Sequence, residues 1–126
     1  MRESHFKGKT GVERLWNAFG YSLQGMASAF RHEDAFRQEC LLAALLIPAA
    51  LLIPVGGTER ALMIASVLLV LIVELLNSAV EAAVDRISLE NHVLAKRAKD
   101  IGSAAVFLSL INAAAVWLLI LLDSRV

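Results

Sequence analysis

From Ile101 to Leu122 the chain carries no charged side chain. A helix rises about 1.5 Å per residue, so a run of this length crosses a hydrocarbon core of about 30 Å. Two further stretches come close to the same condition. One runs over about 38–56 and contains Pro48, which is expected to kink it. The other runs over about 61–84 and opens with Ala61 to Val73, again without a charge. A soluble bundle would need a polar face on every helix. The first and third stretches have none, so the expected fold is all-α with three transmembrane helices.

Composition agrees. Hydrophobic residues make up 58% of the 126-residue chain, against roughly 45–50% in soluble domains. That length is expected to form a single domain over 1–126. Twelve basic and twelve acidic residues cancel, so net charge points to no partner. The one cysteine, Cys40, excludes an intrachain disulfide framework and a paired-cysteine zinc site. The first forty residues are polar and charged, so no cleavable leader is expected there.

The segment before the first span has a different pattern. Leu15, Phe19, Leu23, Met26 and Phe30 recur at spacings of three and four, which places them on one helical stripe. Arg14, Asn17, Tyr21, Gln24 and Ser28 fall on other faces. An amphipathic helix over about 11–31, lying on the membrane surface, is expected. "HEDAF", His32 to Phe36, reads as the link into the first span. Ten of the twelve Lys and Arg residues lie before the first span or between the second and third. By the positive-inside rule the N-terminus and that second loop are cytoplasmic and the C-terminus is outside. Trp117 falls near the outer end of the third span, where interfacial aromatic residues gather.

The second span breaks its own apolar rule. Glu74, Asn77, Glu81 and Asp85 interrupt it and fall within roughly 80° of helical arc. Entering from outside at Ala61, the helix reaches Glu74 after about 20 Å and Glu81 after about 30 Å. Glu81 is then at the cytoplasmic boundary and Glu74 about 10 Å deeper. A carboxylate near the bilayer centre costs about 2.5–3.5 kcal/mol on insertion scales. Asn77 and Ser78 alone could serve as helix-to-helix glue. Two glutamates and an aspartate exceed that need.

Lys99 and Asp100 stand where the third span begins, and Glu33 stands at matching depth before the first. A lysine and carboxylates near a helix start can hold phosphates and a metal ion. The alternative is a solvated charged loop. Intramembrane acids also mark proton or ion pathways, so a small ion-conducting protein is a second class. Such a pathway wants acids through the full depth, and here they gather at one interface. A non-catalytic scaffold would leave the stripe without a purpose. "GKT", Gly8 to Thr10, is no phosphate-binding P-loop, because position 3 is Glu where that pattern requires Gly.

Taken together, "ELLNSAVEAAVDR" (Glu74 to Arg86), "RAKDIGSAAV" (Arg97 to Val106), "AFRQE" (Ala35 to Glu39) and "GYS" (Gly20 to Ser22) resemble the prokaryotic diacylglycerol kinase family. The resemblance extends from Arg14 to about Leu122. It implies a small lipid kinase of the bacterial inner membrane that phosphorylates diacylglycerol with ATP and Mg²⁺. It also implies a homotrimeric helical bundle whose active sites are shared between subunits, and no nucleic-acid partner. "AFRQE" leans towards the diacylglycerol branch rather than the branch that phosphorylates undecaprenol.

The resemblance also implies roles. Glu74 resembles the catalytic base, and Glu33 and Glu81 resemble ligands of the metal and nucleotide. Arg14, Tyr21, Glu90, Asn91, His92, Lys99 and Asp100 resemble ATP contacts. Asn77, Ser103 and Trp117 resemble lipid-site and supporting residues. Two positions depart from the pattern: His32 stands where Asn is frequent, and Lys96 where a small residue is common.

Overall fold

A computed structural model describes residues 11–87 and 92–123. All regular structure among them is helical: α1 (Gly11–His32), α2 (Asp34–Leu52), α3 (Gly57–Ile87) and α4 (His92–Leu121). The last three are each long and apolar enough to cross a membrane.

The α1–α2 junction is shorter than the sequence suggests. His32 closes α1 and Asp34 opens α2, leaving Glu33 as the single extended residue between them (φ −120°, ψ 109°). Arg37 makes so tight a corner affordable to the backbone. The last carbonyls of a helix have no partner within it. The Arg37 Nη1 atom donates to the carbonyls of Phe30 at 2.6 Å and Arg31 at 3.3 Å. The same guanidinium pairs with Asp34 and lies over the Phe30 ring, 5.9 Å from its centroid.

α2 continues through Pro48 to Leu52. Pro48 has no N–H to offer the Ala44 carbonyl, so that bond of the ladder is missing. A second arginine finishes this helix. The Nε and Nη2 atoms of Arg60, at the start of α3, donate to the carbonyls of Ala50 (2.9 Å) and Ile53 (2.8 Å).

α3 has 31 residues and α4 has 30. At 1.5 Å per residue each is about 45 Å long, well beyond the hydrocarbon thickness. Glu81, Asp85 and Lys99 lie towards one end of the α3–α4 pair. These two helices form the most extensive packing in the chain, with α2 against α3 next. Their buried residues are mostly small or slender: Ala43, Ala50, Met63, Val67 and Val70, with Ser66 and Ser109. Both hydroxyls donate to carbonyls of their own helices, Ser66 to Met63 at 2.8 Å and Ser109 to Val106 at 2.7 Å. Small residues let helix backbones approach closely where lipid removes the usual hydrophobic drive. Leu45, Phe107 and Leu119 instead point outward and are exposed. So are Leu15, Phe19, Leu23, Met26 and Phe30 of α1.

Candidate active site

The polar stripe of α3 faces inward. Glu74 is 5% exposed and Asn77 is 8% exposed, although neighbouring Leu76 is open at 62%. The span buries its acid and turns its leucine out, the reverse of a soluble helix. What Glu74 meets there is Glu39 of α2: the two carboxyl groups lie side by side. Glu81 and Glu33 are near enough to act on Glu74 through their charge. Carboxyl groups from the α1–α2 junction, α2 and α3 thus lie along the same side of the bundle, with Glu39 beside Glu74 and Glu81 about two turns further along α3.

One turn along α3, the Asn77 Nδ2 atom donates to Glu81 Oε2 at 3.3 Å. At the charged end of the pair, Lys99 of α4 reaches across to Asp85 of α3 at 2.6 Å. Lys96 pairs along its own helix with Asp100 at 2.7 Å. A cleft of about 560 Å³ opens between α1 and α3, and of Glu33, Glu39, Glu74 and Glu81 it is Glu33 alone that lines it. Ser22, Gly25 and Ala29 of α1 line one wall, Leu75, Ser78 and Ala82 of α3 the other, and Glu33 and His32 close the end. His32 is fixed by a 2.9 Å bond between its Nδ1 atom and the Ser28 carbonyl, so that nitrogen carries the proton.

Among the described residues, three buried side-chain atoms have no hydrogen-bond partner: Glu39 Oε1, Asn77 Oδ1 and Ser78 Oγ. Buried polar groups are nearly always satisfied. Ser78 lines the cleft, Glu39 faces Glu74, and the Asn77 oxygen faces α4. Among the described residues no three His, Cys, Asp or Glu side chains form a metal cage by themselves. Mg²⁺ does not need one, since it is usually held by one or two carboxylates with phosphate oxygens and water. Hard oxygen donors from Glu33 and Glu81 fit that ion.

The other expected site residues are more scattered. Arg14 and Tyr21 lie exposed on α1 and do not line the cleft. Asp100 and Ser103 are exposed on α4. Trp117 is half-buried, and its indole N–H donates to the Met63 carbonyl at 3.1 Å. Met63 precedes Glu74 by about 16 Å of helix, so Trp117 ties α4 to α3 away from the carboxylates. Glu90 and Asn91 lie outside the described residues, and of His92 only its place at the start of α4 is described. Glu39 was not among the expected site residues. Its signal was present, as an acid barely inside the first apolar stretch.

The comparisons with known proteins bear on the whole chain. Residues 20–121 match the family described as prokaryotic diacylglycerol kinase. The chain is 60% identical over 122 residues to the diacylglycerol kinase of Pseudomonas aeruginosa, covering 97% of this chain and 99% of that protein. It is 55% identical over 108 residues to that of Haemophilus influenzae, covering 86% and 92%. Against that of Escherichia coli K12 it is 48% identical over 112 residues, covering 89% and 92%. With three helices fit to span a bilayer and a match of this extent, the chain belongs to the prokaryotic diacylglycerol kinase family, a family of membrane-embedded kinases.

Proposed function

We propose that the protein transfers the γ-phosphoryl group of ATP to the free hydroxyl of diacylglycerol at the cytoplasmic face of the inner membrane, giving phosphatidic acid and ADP. The observation that carries this reading is the burial of Glu74 against Glu39, on the helix that walls a cleft closed at its end by Glu33. A lipid hydroxyl waits at the headgroup boundary while ATP arrives from water. The base must lie just inside the apolar layer and the phosphate-binding groups just outside it.

In this reading Glu74 accepts the hydroxyl proton as the oxygen attacks phosphorus, and ADP leaves with the bridging oxygen. Glu81, steadied by Asn77, and Glu33 would hold Mg²⁺. When bound, that ion offsets charge on the transferring phosphoryl oxygens. Lys99 and Arg14 add positive charge near the phosphates. Tyr21, Glu90, Asn91, His92 and Asp100 complete the nucleotide contacts, and Ser103 lies on the lipid side. Trp117 supports the bundle from its far end. α1 lies as an amphipathic helix at the cytoplasmic surface, its exposed apolar residues in contact with lipid. The protein works as a homotrimer with shared sites, so the exposed Arg14 and Tyr21 serve a cleft completed by a neighbouring subunit. The N-terminus is cytoplasmic and the C-terminus periplasmic.

The test is transfer of labelled γ-phosphate from ATP to lipid in mixed micelles, with diacylglycerol and undecaprenol run in parallel. Diacylglycerol is expected to be the better acceptor by kcat/KM. Preference for undecaprenol would move the chain to the other branch, and no labelled lipid from either acceptor would overturn the reading.

A further inference from the structure

Gly102 sits inside α4, where glycine is a poorer helix former than alanine. Its backbone does not require it, because no glycine in the described residues has positive φ. Space does. A Cβ added at Gly102 would collide with Asn77 Oδ1 and would lie 3.2 Å from Asn77 Cγ. The other described glycines within helices, Gly11, Gly20, Gly25 and Gly57, would each meet nothing within 4 Å.

The Asn77 carboxamide is thus wedged between two elements with its two ends distinguished. Its Nδ2 end donates to Glu81 Oε2 at 3.3 Å. Its Oδ1 end is buried without a conventional donor and faces the Gly102 Cα. A Cα–H bond can serve as a weak donor there. Turning the amide over would set Oδ1 against the Glu81 carboxylate, oxygen to oxygen, so the observed orientation is the only one with an attractive contact to Glu81.

We propose that Gly102 is a positioning residue: the absence of its side chain seats the Asn77 carboxamide against α4 and so aims the Nδ2 donor at Glu81. An added methyl pushes the amide off its seat, and Glu81 loses the bond that fixes its rotamer. This rests on the proposed role of Glu81 towards Mg²⁺ for its effect on turnover, but not for the contact itself. Groups that orient a metal-binding side chain typically matter about 10–100-fold in metal affinity or activity.

The experiment is a double-mutant cycle of Gly102→Ala and Asn77→Ala, read two ways. The first readout is thermal unfolding in detergent without Mg²⁺ or nucleotide. Gly102→Ala should lower Tm where Asn77 is present and leave it unchanged or raised in the Asn77→Ala background, where the methyl fits and alanine is the better helix former. The second readout is initial rate against Mg²⁺ at fixed ATP and diacylglycerol. Gly102→Ala should raise the Mg²⁺ requirement at least tenfold with little change in diacylglycerol KM, and should add no further loss to Asn77→Ala. Equal losses of Tm or of rate in both backgrounds would show that Gly102 acts through some other contact and would overturn the proposal, as would a silent Gly102→Ala. A Glu81→Gln variant with an unshifted Mg²⁺ curve would remove the metal role of Glu81 alone. The metal-free Tm cycle would still decide the seat of Asn77.

Discussion

Replacing Glu74 by Gln should separate activity from stability, with opposite signs. The side chain is almost fully buried and in contact with the Glu39 carboxyl group. Gln preserves its shape and volume but cannot take the hydroxyl proton. A positioned general base is typically worth about 10²–10⁴-fold, which corresponds to about 2.7–5.4 kcal/mol in activation free energy. Where in that range the loss falls depends on Glu39. It is the carboxyl group in contact with Glu74, so it is the one placed to accept the proton in its stead. If it reaches the hydroxyl, the loss stays near the lower limit, and adding Glu39→Gln carries it further. If it does not, the single variant falls to the upper limit and the double variant adds nothing. Stability should move the other way. The buried contact between two carboxyl groups becomes one in which the Gln amide donates to Glu39, so Tm in detergent should hold or rise. The assay is kcat in mixed micelles on purified protein, with Tm measured on the same preparation. Near-normal kcat in Glu74→Gln would refute the assignment. A lost kcat accompanied by a lower Tm would show that Glu74 holds the bundle together instead.

Glu81→Gln and Glu33→Gln should raise the Mg²⁺ requirement and lower turnover, with diacylglycerol KM little changed. Unchanged Mg²⁺ curves with a raised lipid KM would place these residues at the lipid site. Arg60→Leu should cost about 1–3 kcal/mol of stability, because two helix-end carboxyl-side acceptors, the Ala50 and Ile53 carbonyls, lose a charged donor. Its kcat should remain near normal, since the residue lies about 20 Å of helix from Glu74; unchanged Tm would refute that capping role. Single cysteines introduced near each terminus in a Cys40→Ser background should react with an impermeant reagent in intact cells only at the C-terminal end, and labelling at the N-terminal end would reverse the proposed topology.

The helices were legible because bilayer thickness is a severe filter on sequence. Few chains keep Ile101 to Leu122 free of charge for any other purpose, and the structure builds α4 there. The link before α2 was less legible. "HEDAF" is polar enough to read as a loop, yet all but Glu33 is helical. What closes that corner is Arg37, whose guanidinium reaches back to the carbonyls of Phe30 and Arg31. A long-range donor of this kind leaves no periodic mark. Arg60 acts similarly at the end of α2: in the sequence it is one lone positive charge in a short loop, and in the fold it is the cap of the preceding helix.

The same distinction divides the candidate site. Glu74, Asn77 and Glu81 share a helix, so their common face follows from a fixed rotation per residue. Contacts between helices carry no such arithmetic. Glu39 meets Glu74, Lys99 meets Asp85 and Gly102 meets Asn77 only because α2 and α4 pack on α3 in one particular register. That register is set largely by small residues such as Ala43 and Ala50, which specify how close two backbones come. Spacing along one helix can therefore nominate a base and a metal ligand. The groups packed against that stripe, a facing carboxyl and a missing side chain, become visible only once the helices are side by side. Glycine is the extreme case, since its contribution to Asn77 is the volume it leaves empty.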